Sequence, residues 1–269
     1  MHNRQALIDY TLHLADNSLI LGHRNSEWTG YGPVLEQDIA ISNIALDLIG
    51  QARNFYQYAS GLINQGDAGA RAGSRAAEVT EDSLAYLRDA WDFKNCLLAE
   101  QDNGDWAKTI LRQFFFSAWQ FYLYGELQQC ENSELAAVGE KALKETTYHL
   151  RWSSEWMIRL GDGTEESHAR MVGALDELWK FTGELFMPSR YEQQLIGEGI
   201  LPDLSLLRNK WDEKVKEIFA QANLSIPEGT GGVSPWMQSG GKEGRHTEQL
   251  GYILAEMQFL QRAYPGCEW

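Results

Sequence analysis

Residues 113–127 read QFFFSAWQFYLYGEL. Drawn as a helix, this stretch is apolar on nearly every side, so it belongs at the centre of a fold and not on its surface. The aromatic run within it, 114–124, reads first as core, although such a belt could also line a pocket. The turn Asn103-Gly104-Asp105 precedes it, and the spacing predicts one long helix over about 105–130.

Helical periodicity continues almost everywhere else. Leu7, Ile8, Leu12, Leu14, Leu19 and Leu21 predict a helix over about 4–21. GHRNSEWTGYGP, 22–33, interrupts it with three glycines and ends at Pro33, a good first helical residue. A second helix is predicted over about 34–60, with Ile41, Ile44, Leu48, Phe55 and Ala59 inward. A small-residue loop, 61–79, follows. Thr80 caps a third helix whose first turn carries Glu81 and Asp82. A further helix runs from about Ser133 to Leu160 and stops at Gly161-Asp162-Gly163. Thr164 caps the next, which stops before Pro188, and others are predicted over about 203–223 and 245–263. No alternating strand pair and no repeat is visible. The expected fold is all-α, a single domain with a core bundle over about 4–161 and additional helices over about 164–263.

Charge and composition exclude several functions. The net charge of −15 leaves no basic stripe to replace phosphate counterions, so nucleic acid is not the expected partner. A modest basic cluster, Arg71 and Arg75, falls in the small-residue loop. No apolar run is long enough to span a membrane, and MHNRQALIDY has no signal core, so a cytoplasmic protein is expected. Cys96, Cys130 and Cys267 form no CxxC and read as reduced structural thiols.

The histidines offer partial metal motifs. In KETTYHLRW, 144–152, Glu145 precedes His149 by four residues, on one helix face. A di-iron bundle wants a Glu from each of two helices and Glu-x-x-His from two others. At the position three before His149 stands Thr146. Glu165-x-x-His168 has the right spacing but opens a helix, where acids serve the dipole. Glu243-x-x-His246 straddles Gly244, Asp9 and His13 stand four apart, and His2 and His23 have no matched partner. Taken singly, each reads as an ordinary hydrogen-bonded histidine. GGKEG, 240–244, lacks the Ser or Thr and the first Gly of a phosphate loop.

Long blocks of the sequence resemble one family. LILGHRNSEWTGYGPVLEQDIAISNIALDLIGQARNFYQYA (19–59), NCLLAEQDNGDWAKTILRQFFFSAWQFYLYGEL, KALKETTYHLRWSSEWMIRLGDGT and the ending GRHTEQLGYILAEMQFLQRAYPGCEW are similar to the C subunits of bacterial phenylacetyl-CoA 1,2-epoxidases. The resemblance spans essentially the whole chain. It implies a ferritin-like fold and a structural, non-catalytic subunit. It also implies partners: a catalytic A subunit that holds di-iron and binds phenylacetyl-CoA, a small B subunit, and a reductase using NADPH, FAD and iron–sulfur. No cofactor is expected in this chain.

Against the catalytic sister's motifs, Asp47-Leu48-Ile49-Gly50-Gln51 places Leu48 and Gln51 where a ligand Glu and His would be. Lys144 to His149 keeps the histidine but places Thr146 at the ligand Glu, and Leu19 falls at the first-helix Glu. The third-helix carboxylate has no assigned match. Leu48, Gln51, Thr146, His149 and Leu19 therefore mark a degenerate di-iron site. Two other readings compete. One is a free-standing iron-dependent oxygenase built around Glu145 and His149, with Glu165 or His168. The other is an iron-storage or scaffold protein, which would need acids where Leu, Gln and Thr now stand. The Gly-rich linker, 225–244, is either a partner-contacting segment or a surface loop.

Overall fold

The computed structural model describes residues 2–71, 78–227 and 236–267. In chain order its helices are α1 (His2–Ser26), α2 (Leu35–Arg71), α3 (Glu81–Tyr86), α4 (Leu97–Glu100), α5 (Trp106–Leu127), α6 (Ser133–Gly161), α7 (Glu165–Leu178), α8 (Arg190–Gly197), α9 (Leu204–Gln221), α10 (Glu248–Met257) and α11 (Phe259–Ala263). No strand occurs among the described residues. The fold is all-α and ferritin-like in class, with its longest helices in two hairpins, α1–α2 and α5–α6.

The chain divides into two compact units. The first comprises Met1–Gln101, Ser189–Leu195 and Gly240–Trp269. Its α1–α2 hairpin closes around Gly22, where a Cβ would stand 3.2 Å from Ile49 Cγ1 and 3.3 Å from Leu48 Cβ. Leu14, Ala15, Ile20 and Leu21 of α1 and Ile41, Ile44, Leu48, Phe55 and Ala59 of α2 are buried there. Arg4 Nε donates to Leu62 O at 3.1 Å, tying the start of α1 to the far half of α2.

The second unit comprises Asp102–Pro188 and Ile196–Ser239. As its sequence requires, α5 is buried along most of its length, from Ala107 to Leu127. Gly139 and Gly161 let neighbouring chain approach α6, since a Cβ at Gly161 would lie 2.2 Å from Ala222 O. Phe115, Trp179, Phe186, Trp211 and Phe219 form an aromatic cluster, with Phe115 and Trp211 centroids 5.5 Å apart. Trp211 Nε1 donates to Phe115 O at 2.9 Å, so the largest buried ring is also hydrogen-bonded.

Helix starts follow the expected caps at Thr80 and Thr164, and the predicted turn supplies a third cap in Asp105. Thr80, Asp105 and Thr164 accept from the backbone N–H of Ser83, Lys108 and Ser167. Helix ends depart in four places, the first being α1, which runs through Gly22 to Ser26. α2 runs on to Arg71, so the small-residue stretch is largely helical, while Arg75 lies outside the described residues. α7 stops at Leu178 and gives way to tight turns at Trp179–Phe181 and Gly183–Phe186. The last helix is broken at Gln258, whose buried Nε2 donates to Ala85 O and Arg88 O at 3.2 and 3.0 Å. That side chain holds the chain where the helix would otherwise continue.

Candidate functional site

The five positions matched to metal ligands are all buried. Leu19 lies on α1, and Leu48 and Gln51 on α2, in the first unit. Thr146 and His149 lie on α6, in the second. A di-iron centre in a helix bundle draws on four carboxylates and two imidazoles. These five residues offer one imidazole and no carboxylate, and leucine cannot donate to iron at all. The donor set does not fit di-iron. Among the described residues, no three His, Cys, Asp or Glu side chains stand together as a metal-binding group. The Thr146 hydroxyl is buried with no hydrogen-bond partner among the described residues, a neutral group where the motif calls for a charge. Glu145 is only half-buried, whereas His149 is fully buried.

His168, His13 and His246 find partners outside their own motifs. His168 Nδ1 donates to Gly161 O at 2.7 Å and so closes the end of α6, while Glu165 is exposed in the first turn of α7. His13 is fully buried. Its Nδ1 donates to Lys94 O at 2.7 Å and its Nε2 accepts from Asn17 Nδ2 at 3.2 Å. One nitrogen donates and the other accepts, which is the pattern of a neutral ring. Burial accordingly pushes its pKa down to about 4. Asp9 instead faces Lys94 Nζ at 3.5 Å. Burial also lowers His23.

His246 does not pair with Glu243. Its Nδ1 donates to Glu100 Oε2 at 2.7 Å and its Nε2 faces Phe93 O at 3.0 Å. Both neighbours are acceptors, so only the imidazolium satisfies both nitrogens. Burial opposes that charge, but the bond to Glu100 outweighs it and raises His246. Glu100 is completely buried and accepts three further bonds, from Asn95 Nδ2 at 2.8 Å and from Thr247 N and Oγ1 at 2.7 and 2.8 Å.

Two more buried ionic groups stand in the first unit, and sequence spacing foresaw neither. Glu192 accepts from Lys242 Nζ at 3.0 and 3.1 Å and from Ser189 N and Oγ at 2.8 and 2.9 Å. Burial would raise Glu192, but Lys242 outweighs it and lowers the carboxyl. Asp16, fully buried on α1, accepts from the Tyr56 hydroxyl, from Arg88 and from Lys94 N at 2.8 Å. The Arg88 guanidinium lies 4.3 Å from the centre of the Phe93 ring. Burial, then the Asp16 charge, pushes the Tyr56 phenol well above its ordinary range.

The GGKEG segment belongs to this construction. Gly240 and Gly244 have φ of +141° and +77°. A Cβ at Gly241 would lie 2.2 Å from Asn95 O, and one at Gly244 would lie 2.4 Å from Trp91 O. The segment is thus pressed against residues 91–97 and delivers Lys242 to Glu192 and His246 to Glu100. The end of the Gly-rich linker is therefore buried structure, not surface loop, while residues 228–235 lie outside the described residues. The signals were present in the sequence as charges inside apolar context: Asp16 in LHLADNSLIL, Glu100 in NCLLAEQ, Lys242 between glycines. Each group is buried and mutually satisfied, so the chemistry these residues perform is structural.

An all-α protein of ferritin-like class is what the fold defines, and the positions that the resemblance matches to metal ligands hold leucine, glutamine, threonine and one histidine. The chain belongs to the family described as phenylacetic acid catabolic protein, which it matches over residues 1–269. It is 45% identical over 263 residues to the C subunit of 1,2-phenylacetyl-CoA epoxidase from Escherichia coli (strain K12), covering 98% of this chain and 99% of that one.

Proposed function

We propose that this chain is the non-catalytic, structural subunit of a phenylacetyl-CoA 1,2-epoxidase complex acting in aerobic phenylacetate catabolism. The observation that carries the reading is the end-to-end likeness to a protein named as the C subunit of that enzyme. The residues at the ligand positions support it, because they pack as core and supply no carboxylate. In this reading the di-iron centre and the phenylacetyl-CoA site belong to the catalytic A subunit. A small B subunit completes the complex, and a reductase carrying FAD and iron–sulfur brings electrons from NADPH. The complex is cytoplasmic; among the described residues no helix is long and apolar enough to cross a membrane.

A structural partner acts by mass action. Binding only the folded form of the catalytic subunit stabilises that form. Two homologous bundles side by side imitate a symmetric dimer in which one half is active. An obligate interface of this kind buries on the order of 2,000 Å² or more. The test is reconstitution of phenylacetyl-CoA oxygenation from catalytic subunit, B subunit and reductase, with and without this chain. Activity that requires this chain supports the proposal. Full activity without it, together with separate elution at micromolar concentration, would overturn it.

A further inference from the structure

α2 is apolar on two faces. One face, with Ile41, Ile44, Leu48 and Phe55, is buried in the first unit. The other carries Leu35, Ile39 and Leu46, which are 71%, 53% and 67% exposed. At 100° per residue these three and Gly50 share one outward stripe of about 24 Å. A surface helix needs only one apolar face, so the second calls for an explanation. Tyr31 and Val34, 79% and 51% exposed, extend the stripe at its N-terminal end.

This surface is held in place before any partner arrives. Gly30 N donates to the Asp38 carboxylate at 3.0 Å, Tyr31 N donates to Trp28 O at 2.8 Å, and Thr29 Oγ1 and Ser42 Oγ share a bond of 3.0 Å. Gly32 sits so close to α2 that a Cβ would lie 2.7 Å from Asp38 Cα. The loop is thus pinned to the first turns of α2, and Tyr31 is presented with little freedom left to lose.

The charges along the stripe itself are acidic, although Glu27 is paired to Arg24 at 2.8 Å and the exposed Arg53 follows at the C-terminal end. Between Arg24 and Arg53 the sequence has no Lys, Arg or His, but it has Glu27, Glu36, Asp38 and Asp47. A second copy of this chain would set that acidic rim against itself, and the whole chain already carries −15. The rim fits a partner with an apolar centre and basic edges. Among the other exposed apolar side chains, Phe259 and Leu260 stand beside Arg262, which pairs with Asp89 at 2.9 Å, so both signs meet there and no such preference follows.

We propose that the outward face of α2 from Leu35 to Gly50, with Tyr31 and Val34, is where this chain docks on the catalytic subunit, and that the partner's matching face is basic-rimmed. The assignment rests on the function proposed above. Leu46→Glu and Ile39→Glu place charge on exposed positions, so the chain alone keeps its helicity and melting temperature. Binding of each variant to the catalytic subunit is measured beside wild type and Phe259→Glu. The expected result is a rise in Kd of roughly tenfold or more for the α2 variants, unchanged binding for Phe259→Glu, and weaker wild-type binding as salt increases. Equal binding by wild type and Leu46→Glu overturns the surface assignment alone. Wild type that binds no catalytic subunit overturns the function reading itself. Wild type that self-associates, with Leu46→Glu monomeric, overturns the choice of partner and makes the face a homodimer surface.

Discussion

The first unit is fastened by buried charge and the second by aromatic packing. In the first, Asp16–Arg88, Glu192–Lys242 and Glu100–His246 join α1, the 88–100 region, the start of α8 and the approach to α10. In the second, Phe115, Trp179, Trp211 and Phe219 meet ring to ring around α5. Connectivity accounts for the contrast. The first unit is assembled from three separate lengths of chain, the second from two. Hydrogen-bonded ion pairs are directional and punish misplacement, so they fix where distant segments land. Ring packing between two lengths of chain needs less of that guidance.

The largest expected effect tests the charge half of this contrast. Glu192→Ala leaves Lys242 buried without its partner and should cost about 3–5 kcal/mol in urea unfolding. Glu192→Met with Lys242→Met should cost far less, since the pair's own net contribution is small. A double variant as damaged as the single one would break the argument. Trp211→Ala should also remove about 3–5 kcal/mol, by opening a cavity in the aromatic cluster. No second substitution should rescue it, which sharpens the distinction between the two units.

The pH response should differ as well. His13 has a folded pKa of about 4, below its ordinary value of 6.5. The unfolded chain therefore takes up that proton first, and stability falls as pH drops from about 6.5 towards 4, by at most about 3 kcal/mol. Glu192, held low by Lys242, adds loss at still lower pH, as pH falls through its folded value. His246 has the opposite sign, because its folded pKa is raised. Its contribution is complete below about 6.5 and is lost as pH rises through the folded value. Thermal melts across pH should peak near 6.5. His13→Gln should flatten the acid limb and His246→Gln the alkaline one. A profile unmoved by either variant would remove the histidines from the account. The smallest effect belongs to the second unit: Gly125, in the last turn of α5 with open space at its Cβ, should gain less than about 1 kcal/mol as Gly125→Ala.

Local signals were legible in the sequence, and partners across the chain were not. Thr80 and Thr164 announce helix starts because a cap needs only the next three residues. The small residues of 61–71 read as loop, yet they are helical, and Arg4 on α1 bonds Leu62 O and Gln65 Oε1 from about sixty residues away. The histidine pairs failed for the same reason. Spacing offered Glu243 for His246 only across the break at Gly244, whereas the actual partner, Glu100, is 146 residues distant. The matching of Leu48, Gln51, Thr146 and His149 to ligand positions rests on resemblance alone, since a missing carboxylate leaves no motif of its own.

Iron content tests the central claim most directly. The purified chain, reconstituted with ferrous iron and desalted, is assayed for iron per chain. The account predicts a value near zero, because one imidazole among leucine, glutamine and threonine cannot hold a metal pair. About two irons per chain, the loading of a di-iron bundle, would contradict it and make this chain an oxygenase in its own right.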